Sequence, residues 1–169
     1  MIQENEYHPY FKSYIDTLLK NGKSIVENMI DSGDKLDSIL SNISKENESY
    51  VYAEGKWTIK ELLQHVIDTE RIFNYRALRF ARNDQTSIEG FEQDDYNENV
   101  DANSRDFKEM LEEFKIVRQN SVVLFKSFSE EALLRKGPAS GNMISVRALG
   151  FLISGHQQHH IKVFQERYL

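Results

Sequence analysis

Pro9 and Pro138 are the only prolines among 169 residues, and that scarcity constrains the fold more than any other feature. Proline breaks a helix interior by removing a backbone donor, so the long stretch between the two is free to run as helix. Eight glycines leave little room for irregular linkers. Apolar residues recur at steps of three and four, the stripe that a helix turns toward a core.

Ser24 opens one such helix, carrying Ile25, Met29, Leu36, Ile39, Leu40 and Ile43. Gly33 sits within it at a mild cost. Thr58-Ile59-Lys60-Glu61 is a capping box, with Trp57 and Leu62 placed as a hydrophobic staple. The helix it starts runs to about Arg82. A third is expected from Asn103 or Ser104, with Phe107, Leu111, Phe114, Val117, Ser121 and Leu124 as its inner seam. A fourth spans Ser145 to about Arg167. Residues 1–22 form an irregular or short-helical lead-in, and Ser129-Glu130-Glu131 caps a short turn of helix. Gly137-Pro138 and Gly141-Asn142 read as breaks, and no strand pattern stands out. The acidic stretch 84–102 is a long connection, of a length that is usually functional or folded over something, so pocket walls are expected from it. Four long helices close a bundle core. The expected architecture is therefore all-α, a four-helix bundle forming a single domain over 1–169.

A net charge of −6 with 21 basic residues, interleaved with acids along the helices, disfavours nucleic acid or an anionic membrane as partner. The stretch from Met1 to Glu6 is acidic and polar with no apolar core after it, so no signal peptide is expected. No apolar run reaches the length of a membrane span, and a cytoplasmic protein is the default. Cysteine is absent, which excludes disulfides and thiolate ligands, so any metal must be held by nitrogen and oxygen.

Three of the five histidines lie in Gly155-His156-Gln157-Gln158-His159-His160. The seam of that helix runs Val146, Leu149, Ile153, His156, His160, Val163, so two histidines occupy positions where Leu or Ile is expected. A single inward histidine is usually a core residue with a hydrogen bond. Two at i and i+4 point the same way from successive turns and can share one metal ion. His65, near the buried stripe of the second long helix, is the best third ligand. The pair His156 and His159 is also sterically possible, but His160 keeps Val146 and Ile153 on the seam. Three histidines with free positions would make a catalytic rather than a structural site. Asp68 could orient an imidazole or take a fourth position. Glu61 belongs to the capping box, Glu70 is expected to pair with Arg71, Arg76 or Arg79, and His8 is expected at the surface. No phosphate loop, G-x-S-x-G or H-E-x-x-H motif is present.

The run from Gly55 to His65, continuing Asp68-Thr69-Glu70-Arg71, resembles the second-helix motif of the DinB/YfiT-like superfamily. The stretch from Tyr75 to Arg82 and the close from Gly155 to His160, then Glu166-Arg167-Tyr168, are similar to the same family. The likeness extends from about residue 24 onward. It implies a four-helix bundle with a long crossover, commonly a homodimer. It also implies a divalent metal, often nickel or zinc, held by three histidines that transfer by position to His65, His156 and His160. Members of the family are described as metal-dependent hydrolases, and some relatives join a low-molecular-weight thiol such as bacillithiol to an electrophile. The expected function is thus a metal-dependent enzyme that activates a thiol or water for a small-molecule substrate, with a weak lean to the thiol S-transferase. The rival is a non-enzymatic metal-binding or stress-associated bundle.

Overall fold

The computed structural model describes residues 2–169; Met1, the first residue of the polar N-terminal stretch, lies outside them. Four long helices form the body: α2 (Ile25–Leu40), α3 (Ile59–Ala81), α5 (Phe107–Lys126) and α7 (Val146–Val163). Around them sit the short α1 (Lys12–Leu19), α4 (Gln93–Glu98) and α6 (Glu130–Leu134). α2 and α3 each pack against both α5 and α7. The first two therefore face one another across the bundle, and connection 41–58 crosses it. The four-helix bundle with a crossover is as the sequence indicates.

Local signals account for the starts. Ser24 caps α2 and exchanges hydrogen bonds with Glu27, while Thr58 and Glu61 do the same at α3. Each box satisfies backbone donors that have no partner inside the helix. α5 begins at Phe107 because the Asp106 carboxylate accepts from the amides of Lys108 and Glu109. That start lies past the expected Asn103 or Ser104, which instead lie in a 3₁₀ turn, Ala102–Ser104. α7 ends in a π-helical turn, Phe164–Tyr168.

The chain forms two short strands where none was expected. β1 (Lys136–Ala139) and β2 (Asn142–Ser145) form an antiparallel hairpin, with Lys136 opposite Ser145. Ser140 and Gly141 both carry positive φ, 52° and 74°, as a tight two-residue hairpin turn requires. The apparent breaks were its turn and its contact point. A Cβ at Gly137 would lie 2.0 Å from the Phe80 ring, so only glycine lets the hairpin rest on α3. Ile88 bridges to Ala139 and binds connection 84–102 to the hairpin edge.

The lead-in belongs to the core. Ile15 and Leu18 of α1 are fully buried, and α1 packs along α7. Apolar packing falls into two clusters. One includes Met29, Phe73, Val122 and Ile153; the other includes Leu36, Ile67, Val117 and Ile161. Between those levels every long helix contributes polar groups: Ser32, Glu70, Arg118 and Gln157 are all buried. The bundle is two apolar ends around a polar middle layer.

Candidate metal centre

His65 lies two turns into α3, and His156 and His160 lie on successive turns of α7. Close approach of the helices brings them together. A Cβ at Gly155 would come within 2.8 Å of the Tyr14 carbonyl oxygen, so glycine is what allows α1 to touch α7 beside His156. At the far end Tyr168 donates to the Trp57 carbonyl at 2.6 Å, tying the close of α7 to the start of α3. The Trp57 ring sits 5.0 Å from that of His65. Gln157, next to His156, is fixed by Arg118 of α5 and by the Ser32 carbonyl. These contacts set the rotation of α7 and aim its histidines at α3.

The Nε2 atoms converge. His156 Nε2 is 3.0 Å from His65 Nε2 and 3.0 Å from His160 Nε2, and one nitrogen from each ring lies within 4.8 Å of the others. A neutral imidazole nitrogen offers one proton or one lone pair. His156 Nε2 therefore cannot hydrogen-bond to both neighbours at once. Burial holds the pKa of His65 down to about 4 and that of His160 to about 2, and holds His156 well below the usual value; neighbouring rings oppose the charge of His156 and His160 as a smaller effect, while Asp94 partly offsets burial at His65. Three neutral rings with converging lone pairs are a donor set for a cation. Nitrogens that share an ion at about 2.1 Å sit roughly 3–3.4 Å apart, which is the spacing found for both His156 pairs. His65 Nδ1 faces Thr69 Oγ1 at 3.5 Å, and His160 Nδ1 is buried without a partner. The fit thus rests on the three Nε2 atoms.

Other expected participants stand elsewhere. His159 is exposed, its ring 5.5 Å from that of Tyr14, and is not part of the triad. Asp68 accepts from Gln64 at 3.0 Å and lies 3.5 Å from Arg71; it orients no imidazole, and burial pushes its pKa up. Among the described residues no carboxylate joins the histidine cluster. His8 is exposed, as expected, and its Nδ1 accepts from the Tyr10 amide. Glu70 does pair with an arginine, but with Arg118 of α5 rather than a neighbour on its own helix. That partner was missed because it is 48 residues away; the available signal was a charge beside Val117 on the α5 seam.

The triad opens on a cavity of about 300 Å³, walled by Tyr14, Trp57, Phe73 and Phe91 among others. Phe91 comes from connection 84–102, where pocket walls were expected. Arg76 of α3 reaches the same cavity, a position the sequence reading did not single out for the site. Such an arrangement can present a bound cation to a small molecule between aromatic walls.

The family model of the DinB superfamily matches residues 30–164. A solved structure of YfiT from Bacillus subtilis, described as a probable metal-dependent hydrolase with an unusual four-helix bundle topology, superposes with a TM-score of 0.75. Identity is 16%, over 84% of this chain and 82% of that one. No curated protein matches the sequence. Among the described residues no helix is long and apolar enough to cross a membrane.

Proposed function

Because the chain belongs to the DinB superfamily, we propose that it is a metal-dependent enzyme whose His65, His156 and His160 hold one divalent ion beside the cavity. One observation carries this reading: a single nitrogen, His156 Nε2, faced at 3.0 Å by two others, an arrangement that hydrogen bonding cannot satisfy and a shared cation can. A divalent ion there supplies Lewis acidity, making a water or thiol nucleophilic near neutral pH.

The chain's own contribution is placement. α3 and α7 supply the nitrogens, burial keeps them unprotonated, and the aromatic walls restrict water and hold an apolar body. The description of YfiT as a probable metal-dependent hydrolase supports attack on a small electrophile. With no cysteine in the chain, a thiol nucleophile would have to be a separate low-molecular-weight compound, the S-transferase version of the same chemistry. Nickel or zinc suits an all-imidazole donor set. A homodimer in the cytoplasm and a single domain over 1–169 complete the proposal; the packing of α1 into the core supports the last.

The test is elemental analysis of untagged protein beside His156→Ala. Close to one metal per wild-type chain is expected, lost in the variant while the helical circular-dichroism spectrum persists. A wild type that takes up neither nickel nor zinc on titration would sink the proposal and leave the triad a packing feature. Once metal is established, turnover of an electrophile with and without added thiol separates S-transfer from hydrolysis. Full metal occupancy without turnover would favour the non-enzymatic bundle.

A further inference from the structure

Arg76 is buried, only 6% of the residue being exposed, yet it makes no ion pair among the described residues. Its hydrogen bonds run from Nη2 to the Glu89 carbonyl at 3.1 Å and to Ser140 Oγ at 3.0 Å. Nε is buried and has no partner. Burial pushes the guanidinium pKa down, with no charged neighbour to offset it. A guanidinium carries five donors and stays charged, and a buried charge is ordinarily paired. The two neutral acceptors leave this one without an anion.

Its position gives the missing anion a place. Arg76 lines the histidine cavity of about 300 Å³ and an adjoining one of about 200 Å³. It follows His65 by eleven residues on α3, a spacing that returns to within roughly 20° of the same helix side and separates the two Cα atoms by roughly 16 Å. Helical side chains lean toward the N-terminus, the His65 side of Arg76, and Arg76 and the three histidines line the one cavity. Between the two ends the walls are aromatic, including Phe11, Phe73 and Phe91.

We propose that Arg76 is the anion-recognition residue of this cavity, binding the carboxylate of a small substrate with an apolar or aromatic body whose other end reaches the histidines. The naming of a reacting end rests on the histidine triad being the reaction centre; the anion site itself does not. A carboxylate suits a single guanidinium better than a more highly charged phosphate, because one cation neutralises it. The net charge of −6 supplies no general attraction for anions, so in metal-free protein selection falls to this residue. Contacts with Glu89 and Ser140 also hold the guanidinium in place, which lowers the entropy lost when the anion arrives.

The test uses metal-free protein, so that a carboxylate cannot bind through the ion. Benzoate, its neutral isostere benzamide, and acetate are titrated by calorimetry, while the ¹⁵N-labelled Arg76 Nε–H resonance is followed by NMR. Benzoate is expected to bind at least about tenfold tighter than benzamide and to shift that resonance, since hydrogen bonds to charged groups are worth about a factor of ten or more. Arg76→Gln should weaken benzoate by a similar factor and leave benzamide unchanged; if it does not fold, Arg76→Lys should weaken benzoate several-fold while keeping the charge. Benzamide binding as well as benzoate, an unmoved Nε–H signal, no benzoate binding, or full affinity in the variant would each overturn the proposal. Benzoate recognition in a protein that binds no metal would keep the anion site while removing the proposed enzyme.

Discussion

Two arginines, Arg118 and Arg76, are each 6% exposed in the same bundle, and their surroundings differ completely. Arg118 is saturated. Its Nε and Nη2 meet the two Glu70 oxygens at 2.9 and 2.8 Å, Nη1 donates to Ser32 Oγ at 2.8 Å, and Nη2 also meets Gln157. The Met29 carbonyl accepts too, and Ser121 donates to Glu70. Four helices are joined through one side chain. Arg76 has two neutral acceptors, an unpartnered Nε and a cavity. A buried polar group whose partners all come from the chain is fixed by the fold. One left short of partners at a cavity marks where something outside the chain belongs, and the histidine triad on the same cavity is short in the same sense.

The largest expected effect is at the saturated site. Arg118→Met leaves Glu70 buried without its cation and should cost about 3–5 kcal/mol, read from the denaturant midpoint. Glu70→Leu alone should cost as much. The double variant should recover a large part of that loss, because the uncompensated charge is then gone. Additive losses in the double variant would mean that the two residues act independently, and the contrast between the arginines would fail. Gly33 adds a constraint: a Cβ there would sit 3.1 Å from Arg118 Cγ, so the arginine stem runs close over the glycine and would have to shift for a larger residue.

The triad carries a pH dependence of its own. The three rings have pKa values depressed in the folded protein, by burial first. An unfolded chain therefore binds their protons more readily. The stability they contribute is present above the unfolded histidine value of about 6.5 and is lost as pH falls toward the folded values. Between pH 7 and pH 5.5, metal-free protein should lose about 1 kcal/mol for each ring that refuses a proton. Replacing His156 by Ala should flatten that slope. Equal slopes in the two proteins, measured by urea titration at each pH, would show that the rings protonate without cost and are less buried than their packing indicates.

The parts of the fold legible in the sequence were those decided locally. Ser24, Thr58 and Glu61 announced two helix starts because a cap and its donors lie within three residues. The α7 seam announced His156 and His160 because residues four apart share a face. The hairpin was not legible: β1 and β2 are four residues each, and their evidence is the fit of Gly137 to Phe80, a contact between distant segments. The same holds for Glu70 and Arg118, joined across 48 residues, where arginines on the same helix seemed the nearer partners. Arg76 was visible as part of a family-like stretch. Its standing as a charge on the buried side of α3 was hidden, because nothing in the sequence says that no carboxylate comes to meet it.

The smallest expected effect sharpens the comparison most. Arg76→Met removes a cation that has no counter-charge, so the energy regained by not burying it offsets the two hydrogen bonds lost to Glu89 and Ser140. The free protein should stay within about 1 kcal/mol of the wild type or become more stable, since replacing an uncompensated buried charge with an apolar side chain is often neutral or stabilising. Arg118→Met is the same chemical change at the same burial, and the two denaturation curves can be compared directly. A loss at Arg76 as large as that at Arg118 would mean that the guanidinium is held for the fold, through connection 84–102 and the hairpin. A negligible loss, joined to loss of carboxylate binding, would mean that the chain keeps a buried charge whose partner arrives only with the ligand.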